Sequence, residues 1–221
     1  YNGAANTTVS HNLFSVYLCP SDKNTKPLGN VPAYNYAANF GNTTFYQLAT
    51  VGTAPNVNKF LKAPFSDMWP STAVNGGPKG YTVSQHGTIN LADITDGTSN
   101  TVLVSEVIKG EGIAPNSDLR GFVHWGYAAA FETGLGPNSP LPDILWSNYC
   151  TSGPPRIGNP PCLLQSKANL TTLGARSRHP GGVNTLFGDG HVEFVKDSIN
   201  MRTWQAPGSI NGGEITSADA Y

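Results

Sequence analysis

Apolar and polar positions alternate most clearly near the two ends of the chain, and such alternation marks strands buried on one face. In SHNLFSVYLCPSD, Phe14, Val16 and Leu18 take every second position before Pro20, which predicts a strand running into a turn. Residues 183–187 and 191–196 read as two further strands joined at Asp189-Gly190, a pair favoured in two-residue hairpin turns. With that turn, Phe187 faces Val192, Thr185 faces Phe194 and Val183 faces Lys196. Phe187, Val192, Thr185 and Phe194 then share one side, while Asn184, Leu186, Glu193 and Val195 share the other.

Other stretches predict less regular structure. Residues 24–80 are polar, sprinkled with aromatics and broken by six prolines, which suggests loops with short strands. Leu91 to Asp96 suit one helical turn ended by Gly97, and the β-branched run 101–108 suits a buried strand. GFVHWGY at 121–127 reads as another strand, and the proline-rich stretch 132–173 as loop. Asp197 is placed to N-cap a short helix through Gln205, carrying Ile199, Met201 and Trp204, with Pro207-Gly208 to end it. The pattern predicts an α+β, mostly β fold: a loop-rich antiparallel sheet with short helices and a C-terminal hairpin.

Composition narrows the class. Charged residues are only 12% of the 221, with a net charge of −1, so neither nucleic acid nor an anionic membrane surface is an expected partner. The 25 glycines and 17 prolines are many, yet short of what marks a disordered chain. No internal repeat or linker divides residues 1–221, so a single domain is expected. No apolar run of about 18 residues is present to span a membrane. The chain starts at Tyr1 without a signal peptide, which suggests a processed product. Cys150 and Cys162 bracket a Pro/Gly-rich stretch that a disulfide would clamp, the alternative being two reduced thiols. Cys19 is then free or paired elsewhere. Asn6, Asn42 and Asn169 stand in N-x-[ST] triplets, which suggests exposed asparagines.

Candidate chemistry is sparse. His179 and Asp189 could form an acid/base pair, but ten residues of mostly extended chain should separate them by roughly 20 Å. Turn chemistry accounts for Asp189 and, less fully, for His179. His191 lies next to Asp189, yet one His and one Asp do not fill a zinc shell. Asp93, Asp96, Asn100 and Glu106 form a loose oxygen-rich set, a weak candidate for calcium that lacks the EF-hand spacing. No nucleophile elbow, HExxH, phosphate-binding loop or dinucleotide fingerprint occurs, and no catalytic residue is assigned.

His179, nine residues, then Asp189-Gly190 resembles the H-x9-DG signature of prepilin-type, pseudopilin-like proteins abundant in planctomycete bacteria. AANTTVSHNLFSVYLCPSD, LADITDGTSNTVLVSEVI and TWQAPGSINGGEITSADAY are similar to that family in the same order. The resemblance implies a long N-terminal hydrophobic helix, cleaved at a leader and followed by an extracytoplasmic β-rich part, of which this chain would be the distal piece. Cys19 would have its partner in the segment not included here. It further implies a non-enzymatic structural subunit of a pilus-like fibre or a surface or type II secretion-like assembly, joined to copies of itself or to other subunits. His179, Asp189 and Gly190 would then be structural. The low charge density fits close packing of subunits. A second expectation is an extracytoplasmic carbohydrate- or peptide-binding module using Trp69, Trp125, Trp146 and the tyrosines. An enzyme acting on cell-surface polymer is a third.

Overall fold

The computed structural model describes residues 3–23, 25–53, 57–66, 88–110, 112–113, 116–146, 150, 160–165 and 170–214. In chain order its elements are α1 (Thr7–Ser10), β1 (Tyr36–Asn39), β2 (Thr50–Val51), β3 (Asn58–Lys59), β4 (Val102–Glu106), β5 (Gly112–Ile113), β6 (Asn116–Ser117), β7 (Ala130–Phe131), β8 (Asp143–Trp146), β9 (Cys162–Gln165), β10 (Gly182–Phe187), β11 (Val192–Lys196) and α2 (Met201–Gln205). Five strands form one sheet in the order β11-β10-β4-β1-β7. Its pairings are antiparallel except for β1 with β7, which run parallel, so the sheet is mixed rather than purely antiparallel. The mostly β, α+β class expected from the pattern is the class observed.

The hairpin forms where expected but in another register. Leu186 pairs with Val192, Thr185 with Glu193, Asn184 with Phe194 and Val183 with Val195. The loop holds three residues, Gly188-Asp189-Gly190: the Gly190 N–H closes on the Phe187 carbonyl (3.0 Å), and Gly190 takes φ 95°. A turn followed by a left-handed glycine is the usual three-residue solution. The shift of one residue exchanges the two sides of β11. Val183, Thr185, Phe187 and Val195 therefore point into the core, and Val192 and Phe194 point away from it.

The core joins Ala37, Val102, Phe131, Val183, Phe187 and Val195 of the sheet to Trp204 of α2, with Val107 and Ala175 beside them. A register irregularity between Leu186 and Phe187 sets Val102 opposite Phe187, so both contribute. Ser105 and Thr185 bond to each other inside this layer at 3.2 Å. Trp204 closes the layer, and its Nε1–H donates to the Leu135 carbonyl at 2.8 Å. Helix α2 begins at Asn200, whose side chain accepts from the Arg202 N–H; Asp197 instead accepts from Asn138. Pro207 and Gly208 lie in a 3-10 turn that continues from α2.

Three further expectations are corrected. Residues 15–17 form an exposed 3-10 turn rather than a strand: the Tyr17 and Leu18 N–H groups bond back to the Phe14 and Ser15 carbonyls, and Val16 projects to solvent. Residues 121–127 bend: Gly121 has φ 81°, and a side chain there would meet the Tyr34 carbonyl at 2.4 Å. Asn42 is buried and donates to the Lys59 carbonyl, so it is no exposed acceptor; Asn6 is exposed, and Asn169 lies outside the described residues. Cys150 and Cys162 are joined by a disulfide. No described helix is long and apolar enough to cross a membrane.

Buried charge is concentrated beside the sheet. Asp118, Arg120, Asp143 and Arg176 are each nearly inaccessible and form a connected set of ion pairs. Burial works against the Arg120 charge, but Asp118 and Asp143 outweigh it and hold the guanidinium above its ordinary value. Glu132, fully buried nearby, accepts the Leu173 N–H at 2.7 Å through Oε2 while Oε1 has no partner. Burial pushes its carboxyl well above the carboxylate range; the Leu173 bond opposes this, and Asp143 adds to it. A carboxyl with a raised folded-state pKa contributes stability at low pH that is lost as pH rises through that pKa. Glu132→Gln, neutral at every pH, is therefore expected to flatten the fall in melting temperature between acid and alkaline pH. Parallel pH slopes for variant and parent would contradict this.

Candidate functional site

Two features share the side of the sheet opposite Trp204. The register sets Tyr36 beside Glu106 and Asn184 beside Phe194, with Ala38, Val104, Leu186 and Val192 forming the adjacent row. That row is apolar throughout, and its end at Val192 is open, 62% exposed; Phe194, beside it on β11, is 38% exposed. β11 is also the edge of the sheet. Gly182 has no room for a side chain, because the Phe194 ring of the neighbouring strand lies over it and the Val195 carbonyl is closer still.

At the Glu106 end three chain segments converge. Cys19 follows the 3-10 turn at 15–17; its N–H donates to Asn35 Oδ1 at 3.0 Å, and Asn35 in turn donates to Asp22 and to the Val107 carbonyl. Asp22 also accepts from the Lys109 N–H and from Arg178. Glu106 ends β4, and its Oε2 accepts both the backbone N–H (2.8 Å) and the side-chain amide (3.2 Å) of Asn184. His179 precedes the Pro180-Gly181 turn into β10, and its N–H donates to Ser177 Oγ, which itself donates to the Gly182 carbonyl.

These supports aim three electron-rich atoms at one place. His179 Nε2 lies 3.3 Å from Cys19 Sγ and 3.1 Å from Glu106 Oε1, and all three atoms fall within 4.8 Å of one another. Cys19 and Glu106 are buried, whereas the His179 side chain is 29% exposed. The same ring nitrogen faces both the thiol and the carboxylate. A nucleophile–base–acid relay needs them on opposite nitrogens, so this is not a catalytic triad. Nearby, burial raises the Tyr36 phenol above its ordinary value, with Glu106 and then Cys19 adding to the effect. Burial pushes the Lys109 ammonium down, while Asp22 and Cys19 pull it up.

The residues singled out from the sequence are distributed differently from the expected sets. His179 and Asp189 do not meet: Asp189 sits in the hairpin loop, where its Oδ1 accepts the His191 N–H and lies 2.6 Å from His191 Nδ1. Those two bonds hold its carboxyl below the usual range. The His191 ring stacks on Phe187 with centroids 4.4 Å apart. The calcium set also separates. Asp93 caps its own 3-10 turn through Asn90, Asp96 accepts from the Gly212 and Gly213 N–H groups, Asn100 donates to the Asp96 carbonyl, and Glu106 belongs to the Cys19 cluster. Among the described residues, the grouping of possible ligands found is Cys19, Glu106 and His179. Trp125 is half-buried, edge-on to Phe122 and Tyr127; Trp69 and the Trp146 side chain lie outside the described residues. The sequence signal for this cluster is partial: turn chemistry does not fully account for His179 and Glu106 stands in an oxygen-rich set, but Cys19 is 160 residues from His179.

Residues 1–202 match the family model described as a protein of unknown function, DUF1559. No curated protein matches the chain, and no solved structure does.

Proposed function

This chain belongs to the DUF1559 family of unknown function, and from that premise we propose that it is a non-enzymatic structural subunit of an extracellular assembly of the pilus-like or type II secretion-like kind. The observation that carries the reading is the pair of apolar side chains exposed on edge strand β11: Val192, which ends the apolar row across the sheet, and Phe194 beside it. A sheet side of this kind is normally covered by another layer, and an open edge can pair with a further strand. A second copy of the chain suits both, since low charge density leaves little repulsion between copies. The disulfide accords with an oxidising, extracytoplasmic location. The H-x9-DG motif then serves the fold that carries this surface: Asp189 and Gly190 set the loop whose register turns Val192 and Phe194 outward.

Sedimentation across a wide concentration range, with electron microscopy of the concentrated material, tests this. The parent should form larger species as concentration rises, and Val192→Lys combined with Phe194→Lys should shift that transition at least about tenfold upward without unfolding the monomer. A parent that stays monomeric at the highest concentration, alone and with material from its native source, would overturn the assembly role.

A further inference from the structure

We propose that Cys19, Glu106 and His179 form a binding site for a divalent transition-metal ion of the zinc class. The inference does not depend on the assembly role and rests on the convergence itself. Sγ, Nε2 and Oε1 are the metal-ligating atoms of their side chains and converge within 4.8 Å of one another, with Nε2 3.3 Å from Sγ and 3.1 Å from Oε1. A cation that displaces the thiol hydrogen would take all three as ligands at once.

The dimensions fit. With metal–ligand lengths of about 2.3 Å to sulfur and about 2.0–2.1 Å to nitrogen and oxygen, a tetrahedral ion separates sulfur from nitrogen by about 3.6 Å and nitrogen from oxygen by about 3.3 Å. The observed 3.3 and 3.1 Å are each shorter by a few tenths of an ångström, an adjustment within reach of the partly exposed His179 ring. Thiolate, imidazole and carboxylate together favour zinc and its neighbours over calcium or magnesium, which take oxygen ligands. The outer supports are of the kind such sites need: both groups of Asn184 hold Glu106 Oε2, leaving Oε1 toward the site, and Asn35 holds the Cys19 backbone. Thiolate and carboxylate balance the ion's charge, and Asp22 lies by Lys109. Three protein ligands leave a fourth position, for water or for a donor from a partner, on the side where His179 meets solvent. Bound metal would tie the segment at Cys19 to the end of β4 and to the turn before β10.

Cobalt(II) titration of the full chain under non-reducing conditions tests the site. Cys150 and Cys162 are paired, so Cys19 is the chain's free thiol, and a thiolate-to-cobalt band reports on it alone. The expected result is such a band saturating at one equivalent, bleached by zinc, with zinc raising the melting temperature. Cys19→Ser should abolish the band, and His179→Ala and Asn184→Ala should each weaken binding by about 10–100-fold. A folded parent that shows no band and no change in melting with excess zinc overturns the proposal, as does a band that survives in Cys19→Ser. His179→Ala alters a partly exposed side chain, and the parent spectrum decides the matter should a variant fail to fold.

Discussion

Asp143→Asn is expected to cost about 3–5 kcal/mol, a large share of the roughly 5–15 kcal/mol that stabilises an ordinary domain. Asp143 is the shared acceptor of the buried set. Arg120 reaches its Oδ2 at 2.8 Å, Arg176 reaches Oδ1 through both Nε and Nη2, and the Gly174 N–H adds a further bond at 2.9 Å. Asparagine keeps the shape but removes the charge, leaving Arg120 with Asp118 alone and Arg176 without a carboxylate in a site closed to water. Arg176 also donates to the carbonyls of Ser139 and Leu141, so its displacement would release the loop before β8. The cost is one of removing a single partner; replacing the whole set with apolar side chains of similar volume could be far cheaper. Urea unfolding with and without Arg176→Met separates the two. Arg176→Met should cost several kcal/mol in the parent and much less in the Asp143→Asn background, because the interaction is already broken there. Equal costs in both backgrounds, or an Asp143→Asn midpoint close to the parent's, would show that these pairs do not act as a unit.

The sequence revealed the elements better than their pairing. Gly-Asp-Gly between two apolar runs announces a hairpin, and the hairpin is there. It accommodates either a two-residue or a three-residue loop, and the choice decides which side of β11 meets the core. Val192, Phe194 and Val195 are all apolar, so alternation could not break the tie; the left-handed Gly190 and the packing of Val195 against Trp204's layer did. The interior strand β1 was harder to see, since YAAN mixes a small apolar pair with polar ends. Its Asn39 is fully buried because its side-chain amide bonds to the carbonyls of Val102 and Gly208. Buried asparagines and paired charges look like surface residues until their partners are known. The same holds for the Cys19 cluster. Its three members come from a loop, a strand end and a turn, and only the long-range pairing of β1, β4 and β10 brings them together.

Trp204→Ala is expected to destabilise the chain by about 3–5 kcal/mol, the range for deleting a large aromatic from a closed core. Trp204 is fully buried, lies nearly parallel to Phe131 with ring centroids 6.4 Å apart, and is held by the bond from Nε1 to Leu135. Helix α2 has only five residues and could not persist on its own. Trp204 is what docks it, and the 3-10 turn that continues from it carries Gly208 to within bonding distance of Asn39. Removal should therefore loosen the chain from 200 to 210 as well as leaving a cavity. Trp204→Phe separates the two contributions: it retains most of the apolar volume and leaves the Leu135 carbonyl unpaired, for a smaller cost of about 1–3 kcal/mol. Amide exchange should follow stability, with Trp204 and Arg202 N–H protection lost in the alanine variant at denaturant concentrations where β4 and β10 remain protected. If the alanine variant costs less than about 1 kcal/mol, or the helix and sheet lose protection together, α2 is not a separately docked lid on the core but part of one cooperative unit.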